Sequence, residues 1–299
     1  MKKFLSNLNS FIYRNGLDNA KVFDDLLRYI IIGFTRPGAE GLKDWQYTKE
    51  QNAEFFQLFQ ELLQVIKREI NVNGWYDAFG TIYEELIASK SKRSNTGQFF
   101  TPSSLCNLMA EIVYGKEEKI CGKVINDCAV GSGRTLLAFH IRHLGNYYVA
   151  EDIDPMCVRM TVCNFLLHGV EGEVICHDTL CCPDSCVFAY KVNEGLNNPL
   201  SKYYHVPNIQ EIDFNQTILH RQNEQSKIIN IKKKMQESAD KHLQVFRDIM
   251  RKSNKTDKEK EQARQEINKY KQIKKAIENY GKEKRKENNI IQRFVSENL

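Results

Sequence analysis

Val124-Ile125-Asn126-Asp127-Cys128-Ala129-Val130-Gly131-Ser132-Gly133-Arg134-Thr135-Leu136-Leu137 reads as a short buried strand, a glycine turn and the start of a helix. That order is how α/β enzymes build a site for a nucleotide-type cofactor. Gly131 and Gly133 let the backbone come close to a ligand where a side chain would clash, and Asp127 at the strand end offers acceptors to a cationic or amino group. The stretch is not the dinucleotide fingerprint, because Leu136 stands where the third glycine would be.

The residues that follow extend the pattern. Tyr147-Tyr148-Val149-Ala150-Glu151-Asp152-Ile153-Asp154-Pro155 is a second apolar run ending in acids, about 20 residues beyond the glycines, where such folds place a ribose-binding carboxylate. Gly172-Glu173-Val174-Ile175-Cys176-His177-Asp178-Thr179-Leu180 is a third. Between them Val158, Val162, Phe165 and Leu166 recur at helical spacing. Strand, helix, strand, helix, strand predicts an α/β domain whose strand ends carry Asp127, Asp152 and Asp178 to one rim. Such a rim suits a ligand with an amino acid moiety, a ribose and an adenine, the parts of S-adenosylmethionine.

Upstream stand Gly80-Thr81-Ile82-Tyr83-Glu84-Glu85-Leu86-Ile87 and Gly97-Gln98-Phe99-Phe100-Thr101-Pro102. With these, the stretch from about residue 75 to 180 resembles the N6-adenine DNA methylase family that includes the modification subunit of type I restriction-modification systems. The resemblance implies a Rossmann-like class I methyltransferase fold that binds S-adenosylmethionine. Phe99, Thr101 and Pro102 would then meet the methionine end, and Asp127, Gly131 and Gly133 the amino acid part. Asp152 would hold the ribose and Asp178 the adenine.

The chain departs from the family where the chemistry is done. Members end their fourth strand in Asn-Pro-Pro-Phe or Asn-Pro-Pro-Tyr, which holds the amine of a flipped adenine and stacks on its ring. This sequence has no adjacent prolines, and its nearest match is Asn197-Asn198-Pro199-Leu200, which makes Asn198 and Pro199 the candidate catalytic pair. The preceding Lys191 to Leu196 is too polar and glycine-bearing to read as a buried fourth strand. Two readings stay open: an adenine-N6 DNA methyltransferase with a divergent site, or a cofactor- and DNA-binding relative that is impaired or works with partner subunits.

Around this centre, residues 1–95 read as a helical region, 96–215 as the cofactor-binding domain and 216–299 as a basic helical hairpin. Lys49 to Ile70 carries an apolar stripe through Phe55, Leu58, Phe59, Leu62, Val65 and Ile66. Residues 221–299 hold 22 Lys or Arg against 12 Asp or Glu, an excess of ten. With the whole chain at +5, the first 220 residues therefore carry about −5. A basic tail of this kind suits DNA phosphates or a partner helix. No stretch is apolar enough to span a membrane, and the first residues do not read as a signal peptide, so the expected location is cytoplasmic. Nine cysteines, an odd number spread through the expected strands and helices, argue for reduced thiols rather than a disulfide framework. Cys176, His177, Cys181, Cys182 and Cys186 lack paired C-x-x-C spacing, so no metal is expected. DNA is the expected partner, and the resemblance adds possible specificity and restriction subunits.

Overall fold

The computed structural model describes residues 1–35, 47–87, 100–114, 120–181, 185–197, 207–251 and 256–279. The chain divides into two compact units, Met1–Ile218 and Leu219–Leu299.

The first unit opens with helices α1 (Lys2–Arg14), α2 (Asn19–Gly33), α3 (Lys49–Asn73) and α4 (Ala78–Leu86). Each of the last three begins at a polar cap that satisfies an otherwise unpaired amide. Asp18 accepts from Lys21 N, Asp77 accepts from Gly80 N, and Thr48 and Gln51 form a reciprocal capping box. Their apolar stripes meet: Phe4, Leu8 and Phe11 of α1, Val22, Phe23, Leu26 and Leu27 of α2, and Phe55, Leu58 and Leu62 of α3 are all buried. This core is continuous with that of the sheet, so the N-terminal helices and the sheet share one apolar cluster.

Helix α5 (Ser103–Tyr114) precedes the sheet, and α6 (Arg134–His140) and α7 (Pro155–His168) cross between its first strands. Asp154 caps α7 and Pro155 occupies its first turn, where proline costs no hydrogen bond; Gly169 ends it at φ 65°. Strands β1 (Val124–Asp127), β2 (Tyr147–Asp152) and β3 (Gly172–Cys176) run parallel, and β4 (Phe188–Val192) and β5 (Ile209–Ile212) add antiparallel beyond β3. The order is β1-β2-β3-β4-β5. The chain is therefore α/β with a mixed sheet.

Helices pack along one face in the order α2, α7, α6, α5, with α7 over β2, β3 and β4 and α5 packed on α6. The inward residues Tyr148, Ala150, Val174 and Cys176 belong to their core. On the other face, Phe214 lies against the His177 ring at 5.7 Å, and Glu173 accepts from Tyr147 Oη (3.1 Å) and Ile218 N (2.7 Å).

The polar stretch after residue 187 does form a strand, three residues earlier than the polar run and antiparallel. Its far end is pinned by Asn193, a buried residue at φ 53° whose Nδ2 donates to Phe165 O (3.0 Å) and Val170 O (3.1 Å). Asparagine is among the few residues other than glycine that adopt the left-handed conformation readily, and here these long-range hydrogen bonds to the end of α7 and the turn after it hold it there.

In the second unit, α8 (Ile218–Arg251) and α9 (Asp257–Asn279) share a small core of Met235, Ala239, Leu243 and Tyr270. Lys274 Nζ meets Asp240 at 2.6 Å, and Tyr270 packs on Phe246 at 6.0 Å between ring centres. Pairing 274 with 240 and 270 with 246 makes the two helices antiparallel.

Candidate cofactor site

Because β1, β2 and β3 are parallel, their carboxyl ends emerge on one rim, and with them Asp127, Asp152 and the turn bearing Asp178. Parallel α/β sheets bind ligands at this end. The glycine turn lies over it. Gly131 sits at φ 58° and Gly133 at φ 92°, and a Cβ on Gly131 would stand 3.1 Å from the Phe100 ring. Any larger residue there would be strained and would displace the aromatic.

The turn is held to the strand ends by carboxylates. Asp152 accepts from Gly131 N (2.8 Å) and Asp154 N (2.9 Å). Burial raises its carboxyl above the usual range, against the opposing pull of those two amides. Asp127 accepts from Ala129 N (3.2 Å) and from the Thr135 hydroxyl. Asp178 accepts from Leu180 N (3.0 Å), and its carboxyl is lowered, chiefly by a hydrogen bond from the Cys181 side chain and then by the Leu180 amide. Each acid keeps lone pairs for a further donor. Two apolar side chains, Ile153 and Leu180, stand exposed just past Asp152 and Asp178.

Beneath the rim, Glu151 is buried and accepts from Asn126 Nδ2 at 2.7 Å; its other oxygen lies 2.6 Å from His177 Nε2. This row ties the ends of three neighbouring strands together, which fixes the spacing of the acids above it.

A second buried cluster locks the turn to the N-terminal helices. Asp77 accepts from Gly80 N (2.8 Å), Ser132 Oγ (2.6 Å), Arg134 Nε (2.5 Å) and Asn164 Nδ2 (2.7 Å). A Cβ on Gly80 would collide with the Asp77 carboxylate, so glycine is required there. Arg134 also meets Glu84 at 2.8 Å and the carbonyl of Thr101 at 3.5 Å, and its guanidinium lies 5.3 Å from the Phe100 ring centre. Burial works to lower the Arg134 guanidinium, but Glu84 and Asp77 outweigh it and raise it. Phe100 packs in turn on Tyr83 at 5.5 Å. One arginine thus joins the cap of α4, its acidic face, the Thr101-Pro102 turn and the glycine turn. Pro102 O starts α5 by accepting from Leu105 N and Cys106 N.

Of the residues expected from sequence, the rim gathers Asp127, Gly131, Gly133, Asp152 and Asp178, and Arg134 brings Thr101 against the glycine turn. Phe99, Asn198 and Pro199 lie outside the described residues. Asn197 is described: its amide donates to Glu171 Oε2 (2.6 Å) and its Nδ2 to Asn146 O (2.9 Å). Both partners precede strands β3 and β2, so Asn197 is held at the amino ends, opposite the rim. Sequence reading passed over Asp77, Arg134 and the Glu151–His177 pair. Asp77 carried a usable signal, an acid directly before a helix start with glycine three residues on.

Residues 75–225 match the sequence model of the N-6 DNA Methylase family. The methylase subunit of the type I restriction enzyme MpnII from Mycoplasma pneumoniae is 32% identical over 115 residues, covering 35% of this chain and 21% of the relative. The MjaIX methylase subunit from Methanocaldococcus jannaschii is 31% identical over 114 residues, 34% of this chain and 19% of the relative. The match thus spans about a fifth of either relative's length. Among solved structures, the methyltransferase subunit of a type I restriction-modification system from Streptococcus thermophilus is 19% identical and superposes with a TM-score of 0.30, covering 56% of this chain and 37% of that one. That likeness is too loose to argue from.

Proposed function

Since the chain belongs to the N-6 DNA Methylase family, we propose that it is an S-adenosylmethionine-dependent adenine-N6 DNA methyltransferase of restriction-modification type, built on a Rossmann-like class I fold. The observation that carries this reading is the rim: three acids on consecutive parallel strand ends around a positive-φ glycine turn. Asp127 and the Gly131–Gly133 backbone would hold the amino acid part, Asp152 the ribose hydroxyls and Asp178 the exocyclic amine of the adenine. Ile153 and Leu180 would offer apolar contact to the base, and Thr101 and Pro102, with Phe99 as the resemblance implies, would meet the methionine end. Bound here, the cofactor supplies an electrophilic methyl group on a sulfonium. The protein's part is to orient it and to hold the target amine as a hydrogen-bond donor, so positioning rather than a strong base does the work.

Asn198 and Pro199 are the candidates within this chain for holding the target adenine. One observation favours a second reading, in which the chain binds cofactor and DNA but does not hold the target base itself: Asn197, the neighbour of Asn198, is tied to the amino ends of the strands. The antiparallel α8–α9 hairpin, with its excess of Lys and Arg, would lie along DNA phosphates or dock specificity and restriction subunits.

The test adds purified chain, tritiated S-adenosylmethionine and unmethylated DNA to an extract of its own cells lacking the gene. Tritium in N6-methyladenine, lost with Gly131→Val or Asp152→Ala, is the expected result. Label in cytosine, RNA or protein, or a signal indifferent to both substitutions, would overturn the reading.

A further inference from the structure

Asn126, Glu151 and His177 each stand directly before one of the three rim acids, Asp127, Asp152 and Asp178. Side chains alternate across a strand, so Asn126 and Glu151 turn to the face opposite the acids that follow them. The row they make with His177 runs inward from exposed Asn126: its Nδ2 donates to Glu151 Oε1 at 2.7 Å, and Glu151 Oε2 lies 2.6 Å from His177 Nε2. The Glu151 carboxylate already accepts from Asn126 and accepts here too, so His177 donates from Nε2. Among the described residues Nδ1 of the same ring is buried without a hydrogen-bond partner.

The pair occupies a place where apolar side chains would pack at less cost. Glu151 is 2% exposed and His177 5%; Val149 and Ile175 on the same sheet face are buried, and the Phe214 ring lies against the imidazole. Burying a carboxylate costs free energy that one good partner offsets only in part, so such a pair adds little to stability, and what it supplies is a fixed geometry. The geometry fixed here is that of the turn bearing Asp178. Strand β3 stops at Cys176, and just past it His177 N donates to Asp152 O at 3.0 Å. The turn then meets Ser185 Oγ, which accepts from Asp178 N at 3.1 Å, and Cys128 O, which accepts from the Thr179 hydroxyl at 3.1 Å. The imidazole adds a side-chain tie at the root of this turn. Its other end is Glu151, whose carbonyl accepts from Val130 N at the glycine turn (2.9 Å).

We infer that the Glu151–His177 pair is a positioning device for the adenine-reading acid: it holds Asp178 at a set distance from Asp152, so that the exocyclic amine of the cofactor's adenine meets Asp178 when the ribose meets Asp152. Both are positioning residues, buried beneath the rim and acting through the acids that follow them. A carboxylate displaced by about 1 Å no longer makes a hydrogen bond of ordinary length. A loosened turn would therefore cost the cofactor its adenine contact and leave its ribose and amino acid contacts in place, which makes the pair a determinant of base specificity. The inference rests on the cofactor site proposed above.

The experiment measures, by calorimetric titration of the full chain, the binding of S-adenosylhomocysteine and of its analogue lacking the 6-amino group. Two substitutions separate reach from chemistry: His177→Gln sets an amide donor at the place of Nε2, within reach of Glu151, and His177→Asn ends at the place of Nδ1 and falls short. We expect the natural chain to prefer S-adenosylhomocysteine by about tenfold or more, the worth of a hydrogen bond to a carboxylate. His177→Gln should keep that preference, and His177→Asn should reduce it to about twofold or less while affinity for the deamino analogue stays the same. The double substitution Glu151→Met with His177→Leu, an apolar replacement of the kind that buried pairs ordinarily tolerate, should fold and lose the preference as well. A preference kept in His177→Asn or in the double variant, a preference lost in His177→Gln as fully as in His177→Asn, or equal weakening of both ligands would each overturn the inference, the last marking a pair that is structural alone. No binding of either ligand by the natural chain would overturn the cofactor reading, and the inference with it; equal binding of both would overturn the role of Asp178 on which the inference depends.

Discussion

At the β5 edge of the sheet, Ile209 donates its amide to Phe34 O at 3.0 Å, Thr35 bridges to the same residue, and Asn193 and Asn197 stitch the β4 turn to the core. At the β1 edge, Val124 and Asn126 face outward and the neighbouring helix turns leucine, methionine and isoleucine to solvent. Among the described residues, the β5 edge is therefore met at Ile209 by the chain's own N-terminal helices, while no strand pairs with β1 on its outer side. Apolar side chains that face water add little to stability, so the two edges should differ in what a substitution costs.

The sharpest test of that contrast is to make the same substitution at both edges. Ile209→Pro removes a paired amide and a buried side chain, and we expect a loss of about 3 kcal/mol or more in denaturant unfolding. Val124→Pro removes an amide that bonds nothing within the described chain, and we expect a change within about 0.5 kcal/mol. Equal costs would break the comparison. Next in size is Asn193→Ala, which takes two hydrogen bonds from buried carbonyls and leaves a non-glycine residue at positive φ. A loss of about 2 kcal/mol is expected, with Asn193→Gly recovering part of it.

Acid should act on the helices above the parallel strands. Burial holds His140 down to about 4 and lowers His168 from its usual value. Both folded values lie below the roughly 6.5 of an unfolded histidine, so between those limits the unfolded chain takes up protons that the fold refuses. Stability from this source is fully present above pH 6.5 and drains as pH falls toward 4. Melting temperatures measured across that window should fall, and His140→Gln should flatten the slope. The smallest effect is expected on the exposed apolar side of α5: Leu108→Lys should leave the isolated chain's stability within about 0.5 kcal/mol. A large loss would mean that this side is already covered.

Much of the cofactor side was legible because it obeys local rules. Alternating apolar runs ending in Asp127, Asp152 and Asp178, and two glycines that need positive φ, are properties of short stretches. The Asp77–Arg134 cluster was not legible, since its partners lie 50 or more positions apart and an arginine at a helix start ordinarily reads as a solvated residue. Strand β4 was obscured for a different reason. An antiparallel strand beside β3 does not need to be apolar on both faces, so Lys191 and Glu194 misled an expectation framed for a buried parallel strand. The open edge is invisible in sequence, because nothing in Val124 to Asp127 distinguishes a central strand from an outer one.

The central claim, that the rim of β1, β2 and β3 is a cofactor site, is tested most directly by calorimetric titration of the purified chain with S-adenosylmethionine beside an Asp152→Ala variant of matching melting temperature. The account expects one saturable site in the natural chain and its loss in the variant. No binding by the natural chain, or equal binding by both, would contradict it.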